Sequence, residues 1–545
     1  MFKRYLAILK REFTGYNAAK LGKDALAGVT VAAVALPLAL AFGVSSGASA
    51  AAGLVTAIIS GIAIGALSGA SYQISGPTGA MSAILVSLVA QYGIQGMFIA
   101  SFIAGALLLL CAIFKLGGLV SYLPSPVITG FTSGIAVIIA LGQIDNLTGF
   151  KSSGLSNLEK IASYFTSPQS LDPTAFIIGV CVIVFMLVYP KKLGQYFPGS
   201  LAVIVIATAV KMILHLDVPS VGEIPRTLFL SDRLDITAVD MSDIPAMIVP
   251  AVSIAALGLI ESLLCGASAG RMKNERLDAD VELAAQGIGN MLLPIFGGVP
   301  STAAIARTSV AIKSGGVTRL TSVFHALVLL LSMFVLGGVM SAIPLSALAG
   351  VLIVTAVRMN DTKTIRSIFS KKLKTAMGQF LITMAATVVF DLTKAILIGV
   401  AFSLILFVVN VSDMQVTVAD VDPERLSGDI DPAKLAHTSV VYITGPLYFG
   451  TCAKLEEKIS GIGDNYDNYN IIFSMRGVTV ADISGIEALH EYCERLIAEG
   501  RMVYFSCVQP SVMDLFERTG LKQDRFTYEM FFWSTDKVFE HISSL

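Results

Sequence analysis

Three stretches of this sequence carry side chains able to do chemistry among long apolar runs. One is QISGPTGAMSAI, Gln73 to Ile84, and a second is GGVPSTAAIART, Gly297 to Thr308. Each runs from glycine and proline into serine or threonine and then small residues. Proline is tolerated in a first helical turn, and Ser or Thr can cap free backbone N–H groups, so each reads as a helix starting inside the membrane. Irregular backbone at that depth is tolerated only where it is buried in protein or lines a cavity. Two helix N-termini facing each other offer free N–H groups and two positive dipole ends, which favour an anion. Arg307, read as about two turns into the second helix, adds a formal positive charge behind them. The third stretch is ALGLIESLLCGASAG, which places Glu261 in the middle of an apolar run. A carboxylate there is expensive and marks a functional site, here one for a proton or Na⁺. Cys265, one helical turn later, is a poor Na⁺ ligand, and Ser262 is a weaker candidate. The plainer readings are that Gly, Pro and Ser permit close helix packing and that Glu261 is a structural partner for Arg307.

The rest of the chain must hold these stretches at membrane depth, and its composition suits that task. Of 545 residues, 54% are hydrophobic and 14% charged, with mean hydropathy +0.76, whereas soluble domains are about one-quarter charged. A net charge of −1 lacks the basic footprint of a nucleic-acid binder. The six cysteines show no metal-ligand spacing, and no metal or cofactor is expected. No Gly-Lys phosphate loop or Ser–His–Asp order appears, so an enzyme is not expected. The N-terminal MFKRYLAILKREF is basic and amphipathic, and is not a cleavable signal.

Apolar segments start near Ala25, Ser49, Ile74, Gly96, Pro124, Thr174, Gly199, Pro245, Val281, Ser301, Leu320, Ser341, Thr375 and Lys394, fourteen in all, the third and tenth short and broken. Interrupted segments at matching positions of two halves point to a transporter's substrate site, and these two lie seven segments apart. Lys115, Lys191 and Lys192, Arg271 to Arg276, Lys313 with Arg319, and Arg358 to Lys374 all fall in loops after even-numbered segments. By the positive-inside rule, both termini are cytoplasmic. The expected domains are a cytoplasmic segment 1–24, a transmembrane domain 25–410, a linker 411–436 and a small α/β domain 437–545. In that last domain HTSVVYITGPLYFG, YNIIFSMRGVTV and RMVYFSCV read as strands alternating with helices.

GGVPSTAAIARTSVAIKSGGVTRL resembles the tenth helix of the sulfate permease (SulP) family of anion transporters. LPLALAFGVSSGASAAAGL, ISGPTGAM, VGEIP and LIESLL match it in order, and the C-terminal region resembles a STAS domain. The resemblance implies an α-helical polytopic membrane protein, 14 segments in a 7+7 inverted repeat with core and gate domains, homodimeric and working by an elevator movement in the cell membrane. Carried over residue by residue, the anion pocket comprises Phe42, Thr78, Gly79, Ala80, Ser301, Thr302 and Ala303, with Arg307 behind. Glu261 falls at the coupling-ion position, with Cys265 beside it. The sequence departs from many relatives at Leu38, where they have glutamine, and this variant looks like the cyanobacterial bicarbonate branch. That branch couples Na⁺ through aspartate and threonine where this chain has Glu261 and Cys265. The expectation is therefore H⁺ symport of a small inorganic oxyanion of the sulfate or bicarbonate class. Na⁺-coupled bicarbonate carriage, C4-dicarboxylate carriage, an uncoupled exchanger or channel, and an anion sensor reporting through the STAS domain stay open. Ser484, in the loop resembling a STAS phosphorylation site, is read first as an ordinary helix cap and second as a phosphate acceptor; a cytoplasmic protein partner for this domain is the further expectation.

Overall fold

A computed structural model describes residues 1–118, 124–150, 152, 157–166, 170–190, 198–235, 237, 244–390, 392–411, 414–422, 430–465, 469–519 and 527–545. Lys191 and Lys192 of the charge argument lie outside these residues. The chain divides into two compact units, Met1–Ala401 and Phe402–Leu545.

The first unit is helical. Its first half contains α1 (Phe2–Phe13), α2 (Ala18–Ser45), α3 (Ala50–Leu67), strand β1 (Ser75–Gly76), α4 (Gly79–Ile113), α5 (Ser125–Gly142), α6 (Ile144–Thr148), α7 (Asn157–Thr166), α8 (Pro173–Val188) and α9 (Gly199–Leu214). The second half contains α10 (Ile244–Lys273), α11 (Ala279–Phe296), β2 (Thr302–Ala303), α12 (Ile305–Lys313), α13 (Leu320–Ser341), α14 (Leu345–Met359), α15 (Thr362–Ser370), α16 (Lys374–Val389) and the first ten residues of α17 (Leu392–Val411), whose remainder belongs to the second unit. Side-chain oxygens start several of them: Asn17 accepts from Lys20 N–H, Ser49 from Ala52 N–H and Asp278 from Val281 N–H, each satisfying an orphan donor of a first turn. Six helices, among the described residues, are long and apolar enough to cross a membrane singly.

Each of the fourteen expected segments coincides with a helix, the third and fourth sharing α4. Gly93 divides that helix: its φ of 70° and ψ of −179° suit glycine far better than a residue with a Cβ, so a shorter helix Gly79–Tyr92 precedes a second helical stretch.

The helix packing maps onto itself when the halves are exchanged. Helix α4 packs on α10 and α11 as α13 packs on α2 and α3, and α5 on α16 as α14 on α8. Two clusters result. Helices α2, α3, α4 and α10 to α13 pack around the β1–β2 strand pair, while α5, α8, α14 and α16 form the other. The pair is the only sheet of this unit among the described residues, joining Ser75 to Ala303 and Gly76 to Thr302 in antiparallel register.

The second unit is a five-stranded sheet in the order β3 (Gln415–Asp420), β4 (Thr438–Thr444), β5 (Asn470–Gly477), β6 (Met502–Ser506) and β7 (Phe531–Phe532), antiparallel at β3/β4 and parallel elsewhere. Successive strand residues face opposite sides, and both sides are covered. Val441, Ile471, Phe473, Val503 and Phe505 pack with α18 (Cys452–Asn465), α19 (Ile483–Ala498) and α20 (Pro510–Arg518). Val440, Ile472 and Tyr504 pack against Val538, Phe539 and Ile542 of α21 (Thr535–Ser544). The stretch 411–436 is not all linker, because β3 inside it forms an edge of the sheet; its short exposed run gave little apolar signal.

Candidate functional site

The site is built by the β1–β2 strand pair. Antiparallel strands leave their crossing in opposite directions, so α4 and α12 run apart and their N-termini face each other across it. Ala304 N–H donates to Ile74 O at 2.9 Å, extending the pairing to the start of α12. Side chains from neighbouring helices fix both strands. Ser262 on α10 accepts from Ala303 N–H at 3.2 Å through its hydroxyl and from Gln73 Nε2 at 2.6 Å through its carbonyl. Asn290 on α11 accepts from Ser301 N–H at 2.8 Å and donates to Ser301 O at 3.0 Å. Thr56 on α3 accepts from Val299 N–H at 2.7 Å. Gln286 donates to Ser75 Oγ at 2.8 Å and to the buried Glu282 at 2.9 Å. Glu282, Gln286 and Asn290 escaped the motif search, yet they recur every four residues, which places them on one face of an otherwise apolar helix.

At the centre, two threonines converge on one carboxylate oxygen. Thr78, the N-cap of α4, donates to Glu261 Oε2 at 2.9 Å, and Thr302 of β2 donates to the same oxygen at 2.6 Å. The two hydroxyl oxygens lie 3.2 Å apart. Glu261 is partly buried as a residue, and both threonines are buried.

Arg307 lies beneath β1. Its Nη2 donates to Pro77 O at 2.8 Å, and its side chain, 1% exposed, is among the largest fully buried. Its Nη1 has no hydrogen-bond partner among the described residues. A Cβ on Gly76 would stand 2.4 Å from that nitrogen, so any side chain there would press on the buried guanidinium. No ion pair within 4 Å joins Arg307 to Glu261 among the described residues. Phe42 on α2 and Ile139 on α5 pack over the first turn of α4, with Phe42 Cε1 3.1 Å and Ile139 Cδ1 2.3 Å from where a Gly79 Cβ would be. Ala80 sits buried in that turn.

Several expectations are corrected. The second half-helix starts at Ile305, not Ser301, because residues 302–303 are held in the strand pair. The backbone N–H groups of Ser301 and Ala303 are therefore taken by Asn290 and Ser262, and the first turn of α12, on Ile305, Ala306 and Arg307, has no side-chain cap. Arg307 is the third residue of α12, in its first turn. Cys265 donates to Thr308 Oγ1 at 3.4 Å, a different neighbour from the two threonines on Glu261. In the second unit Asp482, not Ser484, caps α19: it accepts from Gly485 N–H at 2.9 Å, leaving Ser484 exposed in the first turn.

The sulfate permease family model matches residues 21–386, and a STAS domain model matches 429–541. The chain belongs to the sulfate permease family. It is an α-helical polytopic membrane protein with a C-terminal STAS domain. Within the family it is 34% identical over 523 residues to a putative sulfate transporter of Bacillus subtilis, YvdB, covering 93% of this chain and 96% of that one. It is 28% identical to the bicarbonate transporter BicA of a Picosynechococcus strain, over 88% of each chain. Among solved structures, the transmembrane domain of a cyanobacterial BicA aligns with TM-score 0.62 and 26% identity, over 71% of this chain and 98% of that one. Murine Slc26a9 in an inward-facing state aligns with TM-score 0.83 over 96% of this chain and 91% of that one; at 18% identity it speaks to the fold alone.

Proposed function

We propose that this protein is a secondary active transporter of a small inorganic oxyanion, sulfate or bicarbonate in class, moved together with a proton. The observation that carries the reading is the Thr78–Glu261–Thr302 triangle between two helix N-termini. With Glu261 ionised, both hydroxyl hydrogens are committed to its Oε2, and its negative charge offsets Arg307. A proton on Glu261 turns the carboxyl into a donor to one threonine. That threonine's own hydrogen is released, and the site keeps the net positive charge of Arg307. An anion in the gap then meets that hydroxyl, the first-turn N–H groups of α4 and α12, and the field of the guanidinium. Proton and anion thus favour each other's binding, which is the linkage a symporter needs.

Relatives described as sulfate and bicarbonate transporters support the substrate class. Na⁺ is the weaker alternative, since the thiol of Cys265 faces Thr308 rather than adding an oxygen near Glu261. The division of the first unit into two helix clusters, with Phe42 and Ile139 meeting at Gly79 from either side, suits an elevator-like displacement of one cluster. We include in the reading fourteen membrane crossings in inverted halves, cytoplasmic termini in the cell membrane, a homodimer, and Ser484 as a regulatory phosphate acceptor through which a cytoplasmic partner acts on the STAS domain.

Proteoliposome uptake of labelled sulfate and bicarbonate under imposed pH or Na⁺ gradients tests the proposal. Wild type is expected to accumulate one of them when the outside is acidic. Glu261→Gln, held in the neutral state, should lose gradient-driven accumulation while keeping anion exchange. Accumulation by the variant equal to that of wild type overturns the proton role; Na⁺-driven uptake moves the protein to the alternative.

A further inference from the structure

Helix α1 is pinned to the membrane unit along one side only. Tyr5 donates to Ala66 O at 2.9 Å, Arg4 bonds Asp278 and, at 3.0 Å, Asp280, and Glu12 accepts from Arg319 Nε at 2.8 Å. At about 100° per residue, Phe2, Leu6, Leu9 and Phe13 share a narrow sector beside that docked face. Phe2 is 71% and Leu6 47% exposed, so the stripe is unpartnered where it is best developed. Lys3 and Lys10 fall on its far side and are exposed.

The charge of this region is sorted by sign. The acidic residues of the first 24 positions are Glu12 and Asp24. Glu12 is closed against Arg319, and Asp24 is buried, accepting from Val317 N–H, Thr318 N–H and Thr321 Oγ1. Lys3, Lys10 and Lys23 point outward. The chain passes from α1 to α2 in four residues, and α2 presents exposed Leu26 and Val29 along its length, so the stripe adjoins a lipid-facing surface. A helix with an apolar stripe and flanking lysines lies in the membrane interface and is drawn to anionic lipid.

We propose that α1 is an interfacial helix, with Phe2, Leu6, Leu9 and Phe13 seated at the acyl boundary and Lys3 and Lys10 on anionic phospholipid headgroups. Because its anchors, Ala66, Asp278, Asp280 and Arg319, all belong to the helix cluster around the β1–β2 strand pair, the lipid surface holds that cluster directly.

The test uses the full chain in nanodiscs of phosphatidylcholine with graded phosphatidylglycerol. Trp533 is the chain's single tryptophan, so Trp533→Phe with Leu6→Trp gives one reporter on the stripe. Its emission should be blue-shifted, quenched by lipids brominated on the acyl chain, and several-fold less accessible to aqueous iodide than free tryptophan. Added Lys3→Gln and Lys10→Gln should flatten the dependence of bromolipid quenching on phosphatidylglycerol. Full iodide access without bromolipid quenching overturns the proposal. Shielding from both quenchers also overturns it, and assigns the stripe to another protein surface or a second copy. An unchanged thermal midpoint shows that the variants fold.

Discussion

Thr302 Oγ1 lies 2.6 Å from Glu261 Oε2, joining a strand that precedes one half-helix to the carboxylate of a helix on which that strand is clamped. Thr78 reaches the same oxygen from the other half-helix, so one carboxylate reads both halves of the site. A hydrogen bond to a charged group contributes about 1.5–3 kcal/mol, enough to move the proton equilibrium measurably.

Thr302→Val removes one donor to the ionised carboxylate while keeping the volume. The charged form loses support, so the proton is held to higher pH. The alkaline limb of proton-driven uptake is expected to move up by about one pH unit or more, whereas Thr302→Ser should retain the wild-type profile. Uptake as a function of external pH checks this; an unmoved profile in Thr302→Val would detach the hydroxyl from the coupling step.

Gly76→Ala tests the placement of Arg307. The new Cβ would stand 2.4 Å from Nη1, and the buried guanidinium has no solvent to swing into. Displacing it from its seat beside Pro77 is expected to raise the KM for the anion by roughly tenfold, equivalent to about 1.4 kcal/mol. Combining it with Arg307→Lys should relieve the clash and restore the thermal midpoint without restoring affinity. Radiolabel uptake and thermal shift read the two effects separately.

The sequence announced the broken helices because proline, glycine and hydroxyl residues at membrane depth have few other uses. Glu261 was legible for the same reason, as an unpaired carboxylate in an apolar run. The β1–β2 pairing is not: two-residue strands have no periodicity, and their pairing joins residues more than two hundred positions apart. The sequence therefore starts α12 too early, at Ser301, and hides that Asn290 and Ser262 hold the N–H groups of Ser301 and Ala303. Asn290 itself was visible only as part of the Glu282–Gln286–Asn290 spacing, which carries no motif.

Asn290→Leu is expected to destabilise the protein rather than alter its chemistry directly. It leaves Ser301 N–H and O buried without partners, each costing about 1–3 kcal/mol. The thermal midpoint in detergent should fall by several degrees, and Asn290→Asp should fall as well, because its ionised carboxylate cannot donate to Ser301 O or Gln286 O. An unchanged midpoint in Asn290→Leu would argue that packing rather than the carboxamide clamp holds the strand.

Glu12 and Arg319 form an ion pair in which both side chains are 4% exposed. Arg319 also donates to Ala66 O at 2.7 Å and Ser68 O at 3.1 Å, tying α1 and the end of α3 to the start of α13. Removing one partner of a buried pair leaves a charge uncompensated and costs about 3–5 kcal/mol. Glu12→Gln and Arg319→Met should therefore each lower the thermal midpoint strongly. The double variant should lose much less than the sum of the two, because it leaves neither charge stranded. Additive losses would mean that Arg319 acts mainly through the two carbonyls, with Glu12 a bystander. Because Arg319 opens the helix that follows α12, the single variants should also loosen the site: KM is expected to rise in each and to recover in the double variant.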